Sequence, residues 1–299
     1  MKIIVGTRGS NLALTQTNLV IKELKEKNPD LHFEIKIIKT KGDIVLDVPL
    51  HKLNANGIFS KEIEQALLNK EIDLAVHSMK DMPSKHTKGL IFGAIPKGED
   101  PRDAVVSNKT IKELSDLEGC VIGTGSIRRD FQLRKLIKNI EVKGIRGNIE
   151  SRMNKIETEN LDGVILAASG LKRANYENRI SYYFDPKIFI PSPCQGILAL
   201  QIREDDEEIN SILKTVEHFE TTIKAKAERA FLRTLGVGCE FPMGAYSEIN
   251  GESLTLHVLY GDESGKFMLN SNGTAHISEA ESLGIKLAKE LINKSLCLK

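Results

Sequence analysis

Short apolar runs alternate with longer amphipathic segments over the first two hundred residues of this 299-residue chain. Runs such as "KIIVG", "DLAVH" and "CVIGT" are typical of strands, and "NLALTQTNLVIKELKEK" and "SIRRDFQLRKLIKN" are typical of amphipathic helices. We predict a helix start at Ser126 and helix caps at Ser60 and Asn148. Because strands and helices alternate along the chain, the predicted fold class is α/β.

The last part of the chain has a different pattern. Three alternating strand candidates lie around residues 245–249, 254–260 and 267–273, and "SEAESLGIKLAKELINK" follows as a helix. This pattern predicts a small α+β module with a three-stranded antiparallel sheet. Farther upstream, Gly, Pro and charged residues cluster in "PKGEDPRDAV", which predicts a domain boundary.

Charge and apolar content argue against several classes of protein. The formal net charge is +1 and aromatic residues make up 5% of the chain, which disfavours a nucleic-acid binder. No apolar run reaches the ~18 residues of a membrane span, and the apolar part of "MKIIVGTRGS" is too short for a secretory signal. The four cysteines are widely spaced without a CxxC motif, which disfavours a disulfide framework or zinc site and favours a reducing cytosol.

Arginine is concentrated in one stretch of the chain. Residues 128–179 hold seven Arg and five Lys, whereas the rest of the chain holds five Arg and twenty-five Lys. A planar guanidinium holds a carboxylate or phosphate in two-point contact, so this concentration favours an anionic ligand. A helix surface rich in ion pairs explains the same density about equally well.

Four polar clusters follow predicted strands, where ligands of open α/β sheets bind near helix N-termini: "GTRGS", "HSMKD", "GTGSIRR" and "RGNIESR". Their basic residues are Arg8, Lys80, Arg128, Arg129, Arg146 and Arg152. Together they predict a multiply anionic ligand. Taken singly the clusters are weak signals, because "GTGS" also serves as a tight turn, His77 is more often structural than a base, and Lys80–Asp81 is also typical of a simple turn.

Cys239 lies between glycines and a proline in "LGVGCEFPMGAY", outside any long apolar run. Free cysteines are usually buried small hydrophobes, but one on a Gly-rich loop is a candidate for a reactive or covalently modified thiol. Cys120 heads an apolar strand and is expected in the core. Cys194 follows Pro193, and both interpretations stay open for it.

Taken in order, these blocks closely resemble the porphobilinogen deaminase (hydroxymethylbilane synthase) family. The match runs through "GTRGSNLALTQ", "TKGD", "LAVHSMKDMP", "GTGSIRR", "RGNIESR", "AASGLKR", "PCQG" and "GVGCEFP". The resemblance implies a cytoplasmic, monomeric transferase of porphyrin and haem (tetrapyrrole) biosynthesis. It implies two periplasmic-binding-protein-like α/β lobes and a small α+β C-terminal domain with a three-stranded antiparallel sheet. The implied domains are residues 1–96 with 197–215, residues 97–196, and residues 216–299.

The resemblance also implies an activity and its residues. Four porphobilinogen molecules would be deaminated and joined head to tail on a dipyrromethane cofactor, which a thioether links to Cys239, and hydroxymethylbilane would be released. Asp81 would be catalytic. The implied cofactor-binding residues are Lys80, Thr124, Ser126, Arg128, Arg129, Gly147, Ser78 and Asp43. The implied substrate-binding residues are Arg8, Ser10, Gln16, Arg146, Arg152, Arg173 and Gln195. No metal, nucleic-acid or membrane partner is implied.

A carboxylate at Asp81 suits this chemistry. Loss of ammonia from porphobilinogen leaves a methylene-pyrrolenine cation, and attack by a pyrrole carbon then places positive charge on the attacking ring. A carboxylate beside the pyrrole N–H groups stabilises both cations and mediates proton transfer. We expect Lys80 to bind a cofactor carboxylate and His77 to be structural.

The chain departs from the family pattern at Asn56, Gly125 and Cys194, where relatives usually have Lys, Ser and Gly. One cofactor hydroxyl contact at position 125 is therefore expected to be missing. For the chain-binding contact at position 56, both its loss and its replacement by Lys52 stay open. The segment "DIVLDVPLHKLNANGIF" lacks periodicity and is predicted to be a mobile loop over the active site.

The alternative function is a non-catalytic bilobal binding protein for a polycarboxylate ligand. The missing export signal and the Cys239 loop argue against that alternative. A transferase for phosphate ligands would leave "HSMKD" unexplained, and the chain has no GxxxxGK[ST] loop.

Overall fold

The computed structural model of this chain describes residues 1–44, 57, 60–85, 87–238 and 241–298, without the side chains of residues 43 and 44. These residues form two compact units. The first comprises residues 1–99 and 196–225, and the second comprises residues 100–195 and 226–299. The α/β prediction is confirmed, because each unit contains a five-stranded mixed sheet with helices packed on it.

The strands are β1 (Lys2–Thr7), β2 (His32–Ile37), β3 (Leu74–Ser78), β4 (Leu90–Ala94), β5 (Asp103–Ser107), β6 (Val121–Gly123), β7 (Glu141–Lys143), β8 (Gly163–Ala167), β9 (Ile180–Tyr183), β10 (Leu198–Arg203), β11 (Met243–Asn250), β12 (Ser253–Gly261) and β13 (Met268–His276). The α-helices are α1 (Asn11–Lys27), α2 (Lys41–Ile44), α3 (Lys61–Leu68), α4 (Ile127–Leu136), α5 (Ile149–Thr158), α6 (Ala168–Arg173), α7 (Glu207–Lys214), α8 (Phe219–Leu235) and α9 (Ala280–Leu296).

The sheet of the first unit has the order β2-β1-β3-β10-β4. Strands β2, β1 and β3 are parallel, and β10 runs antiparallel to β3 and β4. Apolar residues cover both faces, since Leu74 and Val76 belong to one core cluster and Ala75 belongs to another. This alternation along β3 places successive side chains on opposite faces of the sheet. Helices α1 and α3 both begin at the edge of the sheet where the parallel strands β1 and β3 end.

The sheet of the second unit repeats this pattern with the order β7-β6-β8-β5-β9. Strands β7, β6 and β8 are parallel, and β5 runs antiparallel to β8 and β9. Helix α4 follows β6, and α5 follows β7. Because both helices begin beyond the carboxyl ends of neighbouring parallel strands, their N-terminal residues lie at one edge of this sheet.

The C-terminal part of the second unit is the predicted antiparallel sheet, with the order β11-β12-β13. One face of β12 is apolar and fully buried at Leu254, Leu256 and Val258. Helix α9 packs on β12 and β13 with its buried face, which includes Leu283 and Leu287. The three predicted strands and the final helix are therefore confirmed.

The structure differs from the local predictions at several elements. Asn148 caps α5, with its side chain accepting from Ser151 N, but the Ser60 and Ser126 side chains make no such bond to their helices. The strand-like pattern of "IFIPSPCQGILALQIRED" is a strand only over β10, after an irregular Pro-rich segment. The division into three domains stays a prediction.

None of the helices within the described ranges combines the length and the apolar character needed to cross a bilayer.

Candidate active site

An open cleft of about 370 Å³ lies at the carboxyl end of β3, between the first turns of α1 and α3. The lining residues are Arg8, Ala13, Gln16, Ser60, Ile63, Val76, His77, Ser78, Asp81 and Met82. All of them belong to the first unit. Of the residues that the sequence predicted to be functional, the cleft brings together the catalytic Asp81 with Arg8, Gln16 and Ser78.

Asp81 is held at the cleft by a short 3₁₀ turn, Met79–Asp81, that directly follows β3. Met79 and Met82 are buried on either side of the Lys80–Asp81 pair, with exposed fractions of 1% and 5%, and they anchor the turn. Asp81 itself is exposed, and its carboxylate has no hydrogen-bond or ion-pair partner among the described residues. Lys80 is half-buried and is not part of the cleft lining. The two adjacent charges therefore lie in different surroundings.

Two of the polar residues predicted to bind substrate, Ser10 and Gln16, belong to α1 or cap it. Gln16 is buried, and its Nε2 donates to the hydroxyl of Ser78 at 3.1 Å. Ser10, predicted to bind substrate, is the N-cap of α1 and accepts from Ala13 N at 3.3 Å. Arg8 borders the cleft directly before this cap. The start of α1 thus places a guanidinium and the positive end of a helix dipole beside the cleft, an arrangement that favours an anion.

Ser60 contributes an unused hydroxyl to the same cleft. The residue is 1% exposed, and its Oγ has no hydrogen-bond partner within the described structure. A buried hydroxyl without a partner costs free energy, and a polar ligand in the cleft would remove that cost.

His77 borders the cleft and is tied into a buried polar chain. Its Nε2 contacts Gln201 Oε1 at 3.0 Å, Gln201 Nε2 donates to Glu64 Oε1 at 2.9 Å, and the Thr87 hydroxyl donates to Glu64 Oε2 at 3.0 Å. Burial lowers the pKa of His77 to about 4, although the Gln201 bond acts in the opposite direction. A histidine that stays neutral at physiological pH is a poor general acid. This environment agrees with the structural role expected for His77.

The second unit contains a buried cluster of two arginines and one aspartate. Arg128 Nη1 donates to Asp103 Oδ2 at 2.7 Å, and Arg129 donates to Asp103 Oδ1 from Nε and Nη2 at 3.0 and 2.8 Å. Gln195, predicted to bind substrate, also donates to Asp103 Oδ1, at 2.9 Å. Asp103 has no exposed surface, and the arginines are 4% and 5% exposed. Sequence reasoning missed Asp103; a charged residue heading the apolar run "DAVV" was the available signal.

This cluster carries more positive than negative charge. Burial alone would raise the pKa of Asp103, but Arg128 and Arg129 outweigh it and hold that pKa well below its usual range. Burial, together with repulsion from Arg129, lowers the pKa of Arg128 despite its contact with Asp103. Arg128 Nη1 also donates to Ile190 O, whereas its Nε and Nη2 have no hydrogen-bond partner in the described ranges. The cluster thus has two guanidinium groups for one carboxylate, and two nitrogens of Arg128 still have hydrogen atoms to donate. This arrangement fits a ligand that carries carboxylates.

The two helix starts of the second unit are joined through their preceding loops. Thr124 N donates to Lys143 O at 2.9 Å, and the Thr124 hydroxyl accepts from Ser126 N at 3.2 Å. A side chain at Gly125 would place its Cβ 2.5 Å from the backbone oxygen of Ile145. The loop therefore has no room for a side chain at position 125 unless its backbone shifts.

The remaining predicted residues lie as follows. Gly147 has a φ of +115°, and its carbonyl accepts from Arg152 Nε at 2.7 Å, so the turn before α5 orients one predicted guanidinium. Arg146 precedes this turn, and Arg173 is the last residue of α6; both are half-buried.

Several predictions concern residues outside the described ranges. Cys239, the Asp43 side chain, Asn56 and almost all of the predicted mobile loop belong to that group.

Two of the other cysteines lie in the described ranges and bear on the prediction. Cys120 is part of the core, as predicted. Cys194 is 1% exposed, and burial raises the pKa of its thiol well above the ordinary value, so it is a poor candidate for covalent attachment.

The sequence matches two family models. One, described as "Porphobilinogen deaminase, dipyromethane cofactor binding domain", matches residues 3–211, and the other, "Porphobilinogen deaminase, C-terminal domain", matches residues 222–293. The chain is also 49% identical over 295 residues to a porphobilinogen deaminase from Clostridioides difficile (strain 630), covering 98% of each chain.

The chain belongs to the porphobilinogen deaminase family.

A second family member, the porphobilinogen deaminase from Clostridium novyi (strain NT), is 45% identical and covers 98% of this chain and 99% of its own. Among solved structures, a probable amino-acid transporter extracellular-binding protein from Bacillus subtilis is 16% identical with a TM-score of 0.44, covering 76% of this chain and 95% of that one.

Within the part of the chain that the structure describes, no group of three or more His, Cys, Asp or Glu side chains could hold a metal ion.

Proposed function

We propose that this chain is a transferase that deaminates four porphobilinogen molecules, joins them head to tail and releases hydroxymethylbilane for porphyrin and haem synthesis. The proposal rests on family membership and on one structural observation. Asp81 lies in the cleft of the first unit with its carboxylate unpaired among the described residues, and Arg8 and Gln16 line the same cleft.

The residues present fit a dipyrromethane cofactor, which carries four carboxylates. Arg128 supports this most directly, because it is buried, keeps two guanidinium nitrogens without a partner in the described ranges, and shares a single carboxylate with Arg129. When bound, dipyrromethane supplies the primer to which substrate units are added. We propose a thioether from Cys239 as its attachment. The residues that we propose to hold it are Lys80, Ser78, Asp43, Thr124, Ser126, Arg128, Arg129 and Gly147.

Asp81 acts on the substrate. When porphobilinogen loses ammonia, positive charge develops on the pyrrole ring, and the Asp81 carboxylate accepts a hydrogen bond from the pyrrole N–H and stabilises that charge. The same carboxylate takes up and returns protons at the reacting ring. Its exposure and its lack of a partner in the described structure leave both oxygens available for these contacts.

The substrate's acetate and propionate are held by basic groups at helix starts. Arg8 lies at the positive end of α1, and Arg146 and Arg152 lie at the start of α5. Each charge-assisted contact contributes ~1.5–3 kcal/mol, so loss of one arginine weakens binding without abolishing it. Ser10, Gln16, Arg173 and Gln195 complete the proposed substrate-binding set.

We also propose that the protein is cytoplasmic and monomeric. The binding-protein alternative is not favoured, because the chain matches the porphobilinogen deaminase models over both of its parts.

The test of this function is turnover of porphobilinogen by the purified holoenzyme and its Asp81→Asn variant. The amide is nearly isosteric but can neither balance a cation nor accept a proton, so we expect kcat to fall by ~10²–10⁴-fold. Asp30→Asn removes another exposed carboxylate of the first unit, away from the cleft, and should leave kcat unchanged. Turnover within a few-fold of wild type in Asp81→Asn would contradict the assigned role.

A further inference from the structure

The buried chain below the cleft fixes the direction of each of its hydrogen bonds. A carboxylate only accepts, so Glu64 takes one bond from the Thr87 hydroxyl at 3.0 Å and one from Gln201 Nε2 at 2.9 Å. The Gln201 amide is thereby oriented with Oε1 toward His77, 3.0 Å from Nε2. Since Oε1 also only accepts, His77 must donate from Nε2.

This orientation selects one tautomer of His77. A neutral imidazole carries one proton, so with the proton on Nε2 the other nitrogen, Nδ1, is a hydrogen-bond acceptor. Burial keeps the ring neutral, with its pKa lowered to about 4. Nδ1 has no hydrogen-bond partner among the described residues. His77 borders the cleft, and within the described ranges its ring forms a hydrogen bond only at the Nε2 edge.

The position of His77 sets it near the reacting groups. It precedes Ser78 at the end of β3, four residues before Asp81, and all three line the same cleft. The charged groups of that lining are Arg8 and Asp81. A neutral acceptor in the same lining as this cation and this anion adds hydrogen-bonding capacity without changing the charge of the site. An acceptor that makes no bond within the described structure can take one from a bound donor without displacing a protein contact.

We propose that Nδ1 of His77 accepts a hydrogen bond from an N–H group of the pyrrole substrate, and that Gln201 and Glu64 are positioning residues that hold His77 in the accepting tautomer. This proposal rests on the proposed function for the identity of the substrate. It gives His77 a role in orienting porphobilinogen for Asp81, distinct from acid–base chemistry.

A pair of substitutions separates this role from a purely structural one. His77→Gln places an amide near the Nε2 position, so it can keep a bond to Gln201 but loses the Nδ1 acceptor. His77→Asn places its amide oxygen near the Nδ1 position, so it can keep the acceptor but loses the bond to Gln201. We therefore expect opposite rank orders in two measurements on the assembled holoenzymes. His77→Gln should be the more stable variant to urea, and His77→Asn should have the lower KM for porphobilinogen, by about threefold to tenfold.

Nitrogen NMR of the histidine rings tests the tautomer directly. The His77 signals, assigned by their loss in His77→Asn, should show a neutral ring with the proton on Nε2. Glu64→Gln allows the Gln201 amide to reverse and should relax that preference. Porphobilinogen added to the slowly turning Asp81→Asn holoenzyme should shift the Nδ1 signal of His77 and leave the His257 signals, which come from the C-terminal sheet, unchanged.

Three outcomes would overturn the proposal: a proton on Nδ1 in the wild type, an Nδ1 signal that does not respond to bound porphobilinogen, or the same rank order of the two variants in stability and in KM. Each of them is compatible with full turnover by the wild-type protein, so the proposed function would survive. Absence of porphobilinogen turnover in the wild-type holoenzyme would instead overturn the proposed function together with this contact.

Discussion

At the scale of single residues, burial decides which of the titratable groups can do chemistry. His77 and Asp81 are four positions apart, but the first is buried and neutral and the second is exposed at the cleft. The sequence alone presents the histidine as the more obvious acid–base group. Its hydrogen bond to Gln201 and its lowered pKa explain why the carboxylate is the better candidate.

His77 should make the stability of the protein fall in mild acid. The pKa of His77 is 6.5 in the unfolded chain and about 4 in the folded protein. Between these pH values only the unfolded chain binds the proton. The contribution of His77 is complete above the upper value and is lost as the pH falls through this window, by up to about 3 kcal/mol. Urea unfolding between about pH 7 and pH 4 measures this loss.

The matched control for that experiment is His77→Asn, which removes the titrating group while other carboxylates and histidines titrate as before. Subtracting the variant's curve from that of the wild type isolates the His77 contribution. Parallel curves over this pH range would show that the folded pKa of His77 is not lowered.

At the scale of elements, the second unit depends on a link between a strand and a helix. Asp103 is the first residue of β5, and its carboxylate accepts hydrogen bonds from Arg128 and Arg129 in the first turn of α4. A helix N-terminus repels cations by ~0.3–1 kcal/mol, so two arginines there call for a compensating anion. The sequence suggested a ligand as that anion, and the structure supplies part of it internally through Asp103.

Replacing Asp103 with Asn should destabilise the protein strongly. The amide is similar in shape but leaves two buried guanidiniums without their carboxylate, and breaking a buried ion pair on one side costs about 3–5 kcal/mol. Asp130→Asn breaks the exposed pair of Asp130 with Arg134 on the same helix and should cost about 0.3–0.5 kcal/mol. Urea unfolding of the two variants compares them, and equal losses would contradict a structural role for the buried cluster.

Gly125 should also resist substitution. In Gly125→Ala the new Cβ would meet the Ile145 oxygen at 2.5 Å, so the loop has to shift, at a cost of about 1–3 kcal/mol. Gly144 belongs to the loop that follows β7, and a Cβ there meets nothing within 4 Å. Gly144→Ala is therefore the control, with an expected change within about 0.5 kcal/mol. Equal thermal stability of the two variants would show that the Gly125 loop adapts freely.

Most regular elements were predictable because their patterns are long or strongly apolar. The predicted helix over 11–27 is α1 to the residue, and the final helix and the antiparallel sheet also agree. Strand β5 was missed because its five residues follow a Pro-rich boundary, and β9 because it has only four half-buried residues. Polar pairings such as His77 with Gln201 join residues 124 positions apart, and no local pattern reports them.

At the scale of the whole molecule, the uneven use of arginine has two explanations that apply to different residues. All seven arginines between 128 and 179 belong to the second unit. Arg134 forms an exposed pair with Asp130 on α4, as the ion-pair interpretation predicts. Arg128 and Arg129 are buried with one shared carboxylate, as an anion-binding site requires. The concentration therefore reflects both surface pairing and the buried cluster around Asp103, which we propose as a site for carboxylates.

Intact-mass spectrometry tests whether this chain builds a tetrapyrrole on a covalently attached primer, as we propose. Protein purified from cells that make porphobilinogen and then denatured should have the mass of the chain plus two deaminated porphobilinogen units, and Cys239→Ser should lack that increment. Added porphobilinogen should produce a ladder of heavier species, each larger by one porphobilinogen less one ammonia. An unmodified chain mass in the denatured wild-type protein, with no ladder after substrate is added, would show that the chain carries no covalent primer and does not elongate one.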